Sequence, residues 1–265
     1  MNIRAKTRGL FADLSLVYSL VRRDYALQYA GTALGLVWLL MQYAFQVALF
    51  FVIFGLLLGE ERRPGPPGED YLLYLLGGMV LWLPLAEMLL RGCGILSENR
   101  QVIRRTTVGA RLLLWVPVAE AFVHYVLLFL FICGAAFVRG AEWAGPGKLL
   151  GAFVFGLSAL FFFGGWAFLL ARIGIIFKDV SPLMRLVLQI VFWSTPIVYV
   201  APVSLASLFV FHPVHVLVAL HRDLLFGIDA GVVPLLNGFV LLALFSLPVF
   251  FLSGRYLHDL VVDQL

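Results

Sequence analysis

Charge is scarce in this sequence. Asp, Glu, Lys and Arg together make up 13% of its 265 residues, about half the share of an ordinary soluble domain. That scarcity excludes a water-facing surface over most of the chain. Cysteine is nearly absent. Cys93 and Cys133 lie in or beside apolar runs, which excludes a disulfide framework or a metal pair and leaves them as small buried hydrophobes. A phosphate-cradling G-x4-G-K-[ST] loop is missing. The nearest string, Gly145-Pro146-Gly147-Lys148-Leu149, fails on spacing and on its last residue. The chain therefore has no nucleotide site of its own, and the energy for any work it does comes from outside it. There is no HExxH and no carboxylate-rich aqueous cluster. The first 33 residues hold no clean apolar core followed by a small-residue cleavage site, so targeting is expected to fall to the first span. The net charge of +4 is too small to indicate a nucleic-acid partner.

Apolar residues are abundant instead, at 62%, and they fall in long runs. A hydrocarbon core about 30 Å thick needs roughly 20 such residues per crossing. Six stretches qualify, at about 34–58, 71–95, 112–138, 148–170, 183–200 and 233–254, the fifth short and carrying Pro196. Basic residues cluster before the first span (Arg4, Lys6, Arg8, Arg22, Arg23) and around the second-to-third loop (Arg91, Arg100, Arg104, Arg105, Arg111). They appear again in the fourth-to-fifth loop (Arg172, Lys178, Arg185) and at Arg255. The positive-inside rule places these segments and both termini in the cytoplasm. The remaining loops hold Arg62, Arg63, Arg139, Lys148 and Arg222.

Residues 59–70, rich in Pro and Gly, read as an external turn, and residues 96–111 as a basic, part-helical cytoplasmic loop. Residues 201–232 are too apolar for a solvated loop. They hold Pro202, Pro213, His212, His215, His221 and the pair Arg222–Asp223, and are expected to form short helices dipping into the outer leaflet. Over residues 9–30, Phe11, Leu14, Tyr18, Val21 and Tyr25 repeat at helical spacing, so a surface helix in the cytoplasmic interface is expected, serving as a membrane anchor or as a lever on a soluble partner. The fold class is thus an all-α integral membrane protein: six transmembrane helices, an N-terminal amphipathic interfacial helix within 1–33, one membrane domain over 34–265, and a re-entrant outer segment before the last span.

Ionisable residues inside spans mark polar pathways or interhelical contacts. Glu87 and Arg91 are i, i+4 on the second span, and Glu120 and His124 on the third. Arg91 is close enough to the cytoplasmic end to snorkel. Glu120 lies near mid-membrane and serves either a polar pathway or a structural hydrogen bond. Asp179 either caps the fifth span or meets a partner. Pro196 ends or kinks that span. Trp38 and other tryptophans form an interfacial belt or line a passage. Arg100 and Arg104, i, i+4 in the basic loop, set topology and meet anionic lipid, or seat a coupling helix.

Four strings resemble one family, the polysaccharide-export branch of the type-2 ABC transporter permeases, which includes the O-antigen and teichoic-acid export membrane subunits. The first is Arg23-Asp24, then Tyr29, Thr32, Leu34-Gly35, Trp38 and Gln42. The second is Phe177-Lys178-Asp179-Val180, and the third Thr195-Pro196-Ile197-Val198-Tyr199. The fourth is His212-Pro213 followed by Arg222. Tyr43 stands where the family often has Pro, and Val108-Gly109-Ala110-Arg111 where it often has a Pro–basic step. Lys178 and His212 replace the commoner Arg and Asn. The resemblance implies a homodimeric permease in the bacterial inner membrane that binds two copies of a cytoplasmic ABC ATPase. It implies ATP and magnesium in that partner, no cofactor in this chain, and a polyprenyl-diphosphate-linked polysaccharide as cargo. Arg22, Arg23, Arg100, Arg104, Arg105 and Asp179 become candidates for ATPase coupling. Glu87, Glu120, His124, Trp38, Tyr199 and Arg222 become candidates for a passage or an intramembrane polar contact. The same architecture with a drug, small lipid or ion as cargo is the nearest alternative. A membrane-embedded glycosyl- or acyltransferase is the alternative of another class, with the three histidines as its only candidates and no neighbouring nucleophile.

Overall fold

A computed structural model describes residues 3–35, 37–57, 70–105, 110–140, 145–200, 209, 211–227, 240 and 242–249. The elements are α1 (Ile3–Gln28), α2 (Val37–Phe50, continuing as a π-helix over Phe51–Leu57), α3 (Tyr71–Glu98), α4 (Arg100–Arg105), α5 (Ala110–Leu113), α6 (Val116–Val138), α7 (Pro146–Ile176), α8 (Val180–Ser194) and α9 (Pro213–Phe226). Residues 242–249 are also helical. No strand occurs among the described residues.

Four of these helices are long and apolar enough to cross a bilayer: Val37–Leu57, Tyr71–Glu98, Val116–Val138 and Pro146–Ile176. They match the first four expected spans. The fifth expected span, 183–200, is shorter than anticipated. Its helix is α8, of 15 residues, about 23 Å at 1.5 Å per residue, and it stops before Pro196. The sixth, 233–254, and the loop 59–70 lie mostly outside the described residues, as do 201–208 and 228–232. Within the expected re-entrant segment, α9 is a two-ended helix. Proline stands at its first turn, His212 Nδ1 accepts from the His215 backbone N–H at 3.1 Å, and Gly227 closes it with φ of 70°.

The core is built around α3. Its most apolar stretch is 83% buried, against 22% for α2, so α3 is the central post and α2 a peripheral helix. α6, α7, α8 and α9 all pack against it. Close approach of α3 and α7 depends on Gly174, where a Cβ would run into the Cys93 carbonyl. At the start of α3, the Asp70 side chain accepts from the Leu72 N–H at 2.9 Å and takes both Arg139 Nε and Nη2, at 2.9 and 2.6 Å. One carboxylate thus caps α3 and fastens it to the end of α6. At the opposite end, Arg100 Nη2 donates to the Ile175 carbonyl at 3.2 Å, joining α4 to the last turn of α7.

α1 lies at the Glu98 end of the bundle, and its expected apolar face is divided between a packed and an open part. Leu20 and Val21 are buried, with Val17 and Tyr25 packed beside them, whereas Leu14 and Tyr18 are exposed. The helix therefore has two apolar strips: one seated on the bundle and a flanking one open. Ser15, Ser19, Arg22 and Ala26 occupy the exposed polar arc.

Candidate functional site

Two intramembrane clusters emerge, one at each end of α3. The first lies where α1 meets α3 and α6, around a cavity of about 470 Å³. The four residues spaced i, i+4 on two helices make interhelical contacts, one of the two roles expected for them. Glu87 of α3 meets His124 of α6 at 2.9 Å, and Arg91 of α3 stands 3.7 Å from Glu120 of α6. The physical reason is that a carboxylate and a cation on facing helices link two elements and escape lipid together, while an i, i+4 pair would leave each helix to solvate its own charges.

Arg91 is held by carboxylates. Its Nη2 donates to Asp24 of α1 at 2.7 Å and its Nη1 donates to Glu98, leaving Glu120 as a third, more distant carboxylate. Arg23 of α1 also turns inward: Nη2 donates to Asp24 at 2.9 Å and to Asn99 at 2.6 Å. Asp24 is therefore held by two guanidiniums, with its side chain 9% exposed. Tyr43 of α2 completes the cluster. Its hydroxyl donates to Glu87 and sits 2.9 Å from His124 Nδ1. Four helices, α1, α2, α3 and α6, are thus tied by side chains alone. Tyr43, Asp24, Glu98 and Asn99 were absent from the sequence candidates. The one signal for Tyr43 was its departure from the family string, and for Asp24 its place beside Arg23.

Some polar atoms here lack partners. The hydroxyls of Tyr25 and Tyr29 and the Nε2 of His124 are buried without a hydrogen bond. His124 itself is 4% exposed, and its ring lies 5.9 Å from that of Tyr25. On α1, burial pushes the Tyr25 phenol above its ordinary range, reinforced by the nearby Glu120 and Glu87 carboxylates, and burial raises Tyr29 as well. Both phenols therefore remain protonated at neutral pH.

The second cluster lies toward the Asp70 end. α8 stops at Ser194, and Thr195–Tyr199 continue as irregular backbone, a costly state inside lipid unless its polar groups are met. Arg222 of α9 meets them. It is 4% exposed, donating to the carbonyls of Tyr74 (2.9 Å), Pro196 (2.8 Å) and Ile197 (2.5 Å). Its guanidinium lies 3.6 Å from the centre of the Tyr74 ring. Tyr74 donates to the Tyr199 carbonyl at 2.8 Å and Tyr71 to that of Val198 at 2.9 Å. The Tyr199 hydroxyl turns back to the Trp193 carbonyl at 2.8 Å. Next to Arg222, His221 bridges the Gly77 carbonyl and the Tyr125 hydroxyl, each at 3.0 Å. Gly77 and Gly78 make room, since a Cβ on Gly78 would lie 2.5 Å from Arg222 Nη2.

The remaining expected residues divide. Arg22 is exposed. Arg100 is tied to α7, while the side chains of Arg104 and Arg105 lie outside the described residues. Asp179 stands at the α8 N-cap position but makes no capping hydrogen bond and is exposed. Its backbone is already in the right-handed helical region, with φ of −78° and ψ of −7°, whereas a capping side chain works from extended backbone. Trp38 is 40% exposed on the open apolar face of α2 and joins neither cluster.

The histidines have a neighbouring nucleophile after all, because Ser194 Oγ lies 3.1 Å from His212 Nε2. It does not make a catalytic pair. His212 Nδ1 already accepts the His215 N–H, so the neutral ring carries its proton on Nε2 and donates toward Ser194. A base needs the opposite tautomer. Among the described residues no group of His, Cys, Asp and Glu is arranged to hold a metal.

Long apolar helices joined by buried polar clusters, with a surface helix ion-paired to them, define a multi-pass membrane protein. Within that class the chain is similar to curated proteins named O-antigen export system permease protein RfbA. It is 22% identical to one from Klebsiella pneumoniae over 236 residues, covering 84% of this chain and 85% of that protein. It is 22% identical to one from Myxococcus xanthus over 194 residues, covering 72% and 71%, and to a second from Klebsiella pneumoniae over 227 residues, covering 82% and 81%. No protein-family model matches the chain. The resemblance to the polysaccharide-export permeases, drawn from four short strings, thus extends over most of the sequence.

Proposed function

We propose that this chain is the membrane subunit of an ABC exporter that moves a polyprenyl-diphosphate-linked polysaccharide, an O-antigen or a similar polymer, across the bacterial inner membrane. Two copies enclose the passage, and each docks one separate ATPase that binds ATP and magnesium. Both termini are cytoplasmic. There are six spans: the fifth runs from α8 through Thr195–Tyr199, and the sixth includes residues 242–249, where Phe245 stacks on Trp166 of α7 at 5.1 Å. Residues 1–33 form the interfacial segment and 34–265 the membrane domain. The chain itself performs no catalysis. The observation that carries this reading is similarity, over 84% of the chain, to a protein named as an O-antigen export permease.

The geometry supports a division of labour. The exposed arc of α1, with Arg22, and the α4 segment face the side where an ATPase docks, while Arg23 and Arg100 bind inward and transmit. ATP binding draws the ATPase subunits together, and the nucleotide supplies the differential binding energy between two packings of the permease.

Purification of the full chain from its native cells in mild detergent tests the reading. An ABC-type ATPase in equimolar amount is expected, and Arg22→Glu should reduce that recovery at least severalfold without lowering the chain's own heat stability. Purification free of any ATPase would overturn it.

A further inference from the structure

Arg91 is one cation placed among three carboxylates on three different segments: Asp24 on α1, Glu98 at the end of α3 and Glu120 on α6. It bonds the first two. It stands 3.7 Å from Glu120, beyond hydrogen-bond reach but close enough that a change of rotamer brings them together. Glu98 moves with Arg91, since both belong to α3. Asp24 and Glu120 do not; they face different nitrogens of the guanidinium, Nη2 and Nε, so a shift of the group toward one draws it from the other.

Beside the Asp24 contact, the hydroxyls of Tyr25 on α1 and of Tyr29 just past its end, and the Nε2 of His124 next to Tyr25, are buried without partners. Each such group carries a desolvation cost in the docked position that water would remove if the helix lifted. A cavity already separates α1 from α3 and α6 beside these residues. The contact is therefore stabilised by a shared ion and opposed by buried hydroxyls, the balance a two-position element requires.

We propose that Arg91 is an exchange switch for α1. In the docked position it holds Asp24. When α1 lifts from the bundle, Arg91 passes to Glu120, so the charge left in the membrane stays paired, and the tyrosine hydroxyls reach water. The switch regulates the surface helix assigned above to the ATPase interface, but its geometry requires neither ATPase nor cargo.

The test uses the full chain in lipid nanodiscs, without ATPase, with Cys93 and Cys133 replaced by alanine. Leu20→Cys, on the buried strip of α1, is labelled with a soluble maleimide, and Ile95→Cys in α3 reports global loosening. Asp24→Asn should speed labelling at Leu20 roughly tenfold or more, the worth of one charge-assisted hydrogen bond. Glu120→Gln, which removes the competitor, should slow labelling below the wild-type rate. Tyr25→Phe, which removes an unmet hydroxyl, should slow it as well. Equal acceleration by Asp24→Asn and Glu120→Gln would overturn the proposal, as would no change in either or parallel acceleration at Ile95. None of these results depends on whether an ATPase co-purifies, so failure of the switch is distinct from failure of the export reading.

Discussion

Replacing Arg222 separates a structural clamp from a passage-lining charge. The side chain satisfies three carbonyls and is almost wholly buried. The Tyr74 carbonyl lies within α3 and the Pro196 carbonyl also receives the Tyr74 hydroxyl at 3.3 Å, so Ile197 depends most on the guanidinium. Arg222→Met removes the buried charge, which recovers desolvation energy, but it orphans Ile197 at about 1–3 kcal/mol and empties the space between Tyr74 and Gly78. A net cost of about 3 kcal/mol follows from the orphaned carbonyl and the vacated space together. Arg222→Lys keeps the charge and loses the planar fork, since one ammonium cannot span carbonyls on α3 and on the 195–199 segment together. Lysine should therefore cost as much as methionine or more. Unfolding in mixed micelles by SDS titration, followed by tryptophan fluorescence, gives the differences. Hydrogen exchange should quicken first around Ile197–Tyr199. A lysine variant as stable as wild type, or a methionine variant within about 1 kcal/mol of it, would refute the clamp, because charge alone or neither feature would then account for the residue.

The same stability assay reaches three further sites. Gly174→Ala should cost about 1–3 kcal/mol, since its Cβ meets the Cys93 carbonyl and backbone cannot give way, whereas Gly134→Ala, with nothing within 4 Å, should be neutral or slightly stabilising. Tyr43→Phe keeps the ring and removes the hydroxyl shared by Glu87 and His124, for an expected loss of about 1–2 kcal/mol. Asp70→Asn should cost under about 1 kcal/mol, because the exposed pair with Arg139 is lost but the α3 cap survives. Asp70→Ala should cost about 1 kcal/mol more as the cap goes too.

The long apolar runs made the first four spans legible, because lipid demands length and apolarity and both are written linearly. The end of α8 before Pro196 was legible for the same kind of reason, since a missing N–H is a local property. Pairing was not. Glu87 and Arg91, like Glu120 and His124, sit one helical turn apart, which places each two on one face of their helix without naming a partner on the next. Which neighbour each takes depends on how α6 is rotated against α3, and that is fixed by tertiary packing rather than by spacing along either helix. Which strip of α1 seats on the bundle was not legible either, because the helix has two adjacent apolar strips and periodicity does not say which is seated. Tyr43 is the instructive case: read as a mere departure from a motif, it is the hydroxyl joining α2 to the cluster.

As an export permease, this chain carries its cargo across the membrane, and the proposal stands or falls on that passage. Deleting its gene and measuring lipid-linked polysaccharide on the cytoplasmic side of the inner membrane tests that most directly. Polymer should accumulate there and disappear from the cell surface, both effects being reversed by the wild-type gene. Surface polysaccharide at normal level with no internal accumulation would contradict it.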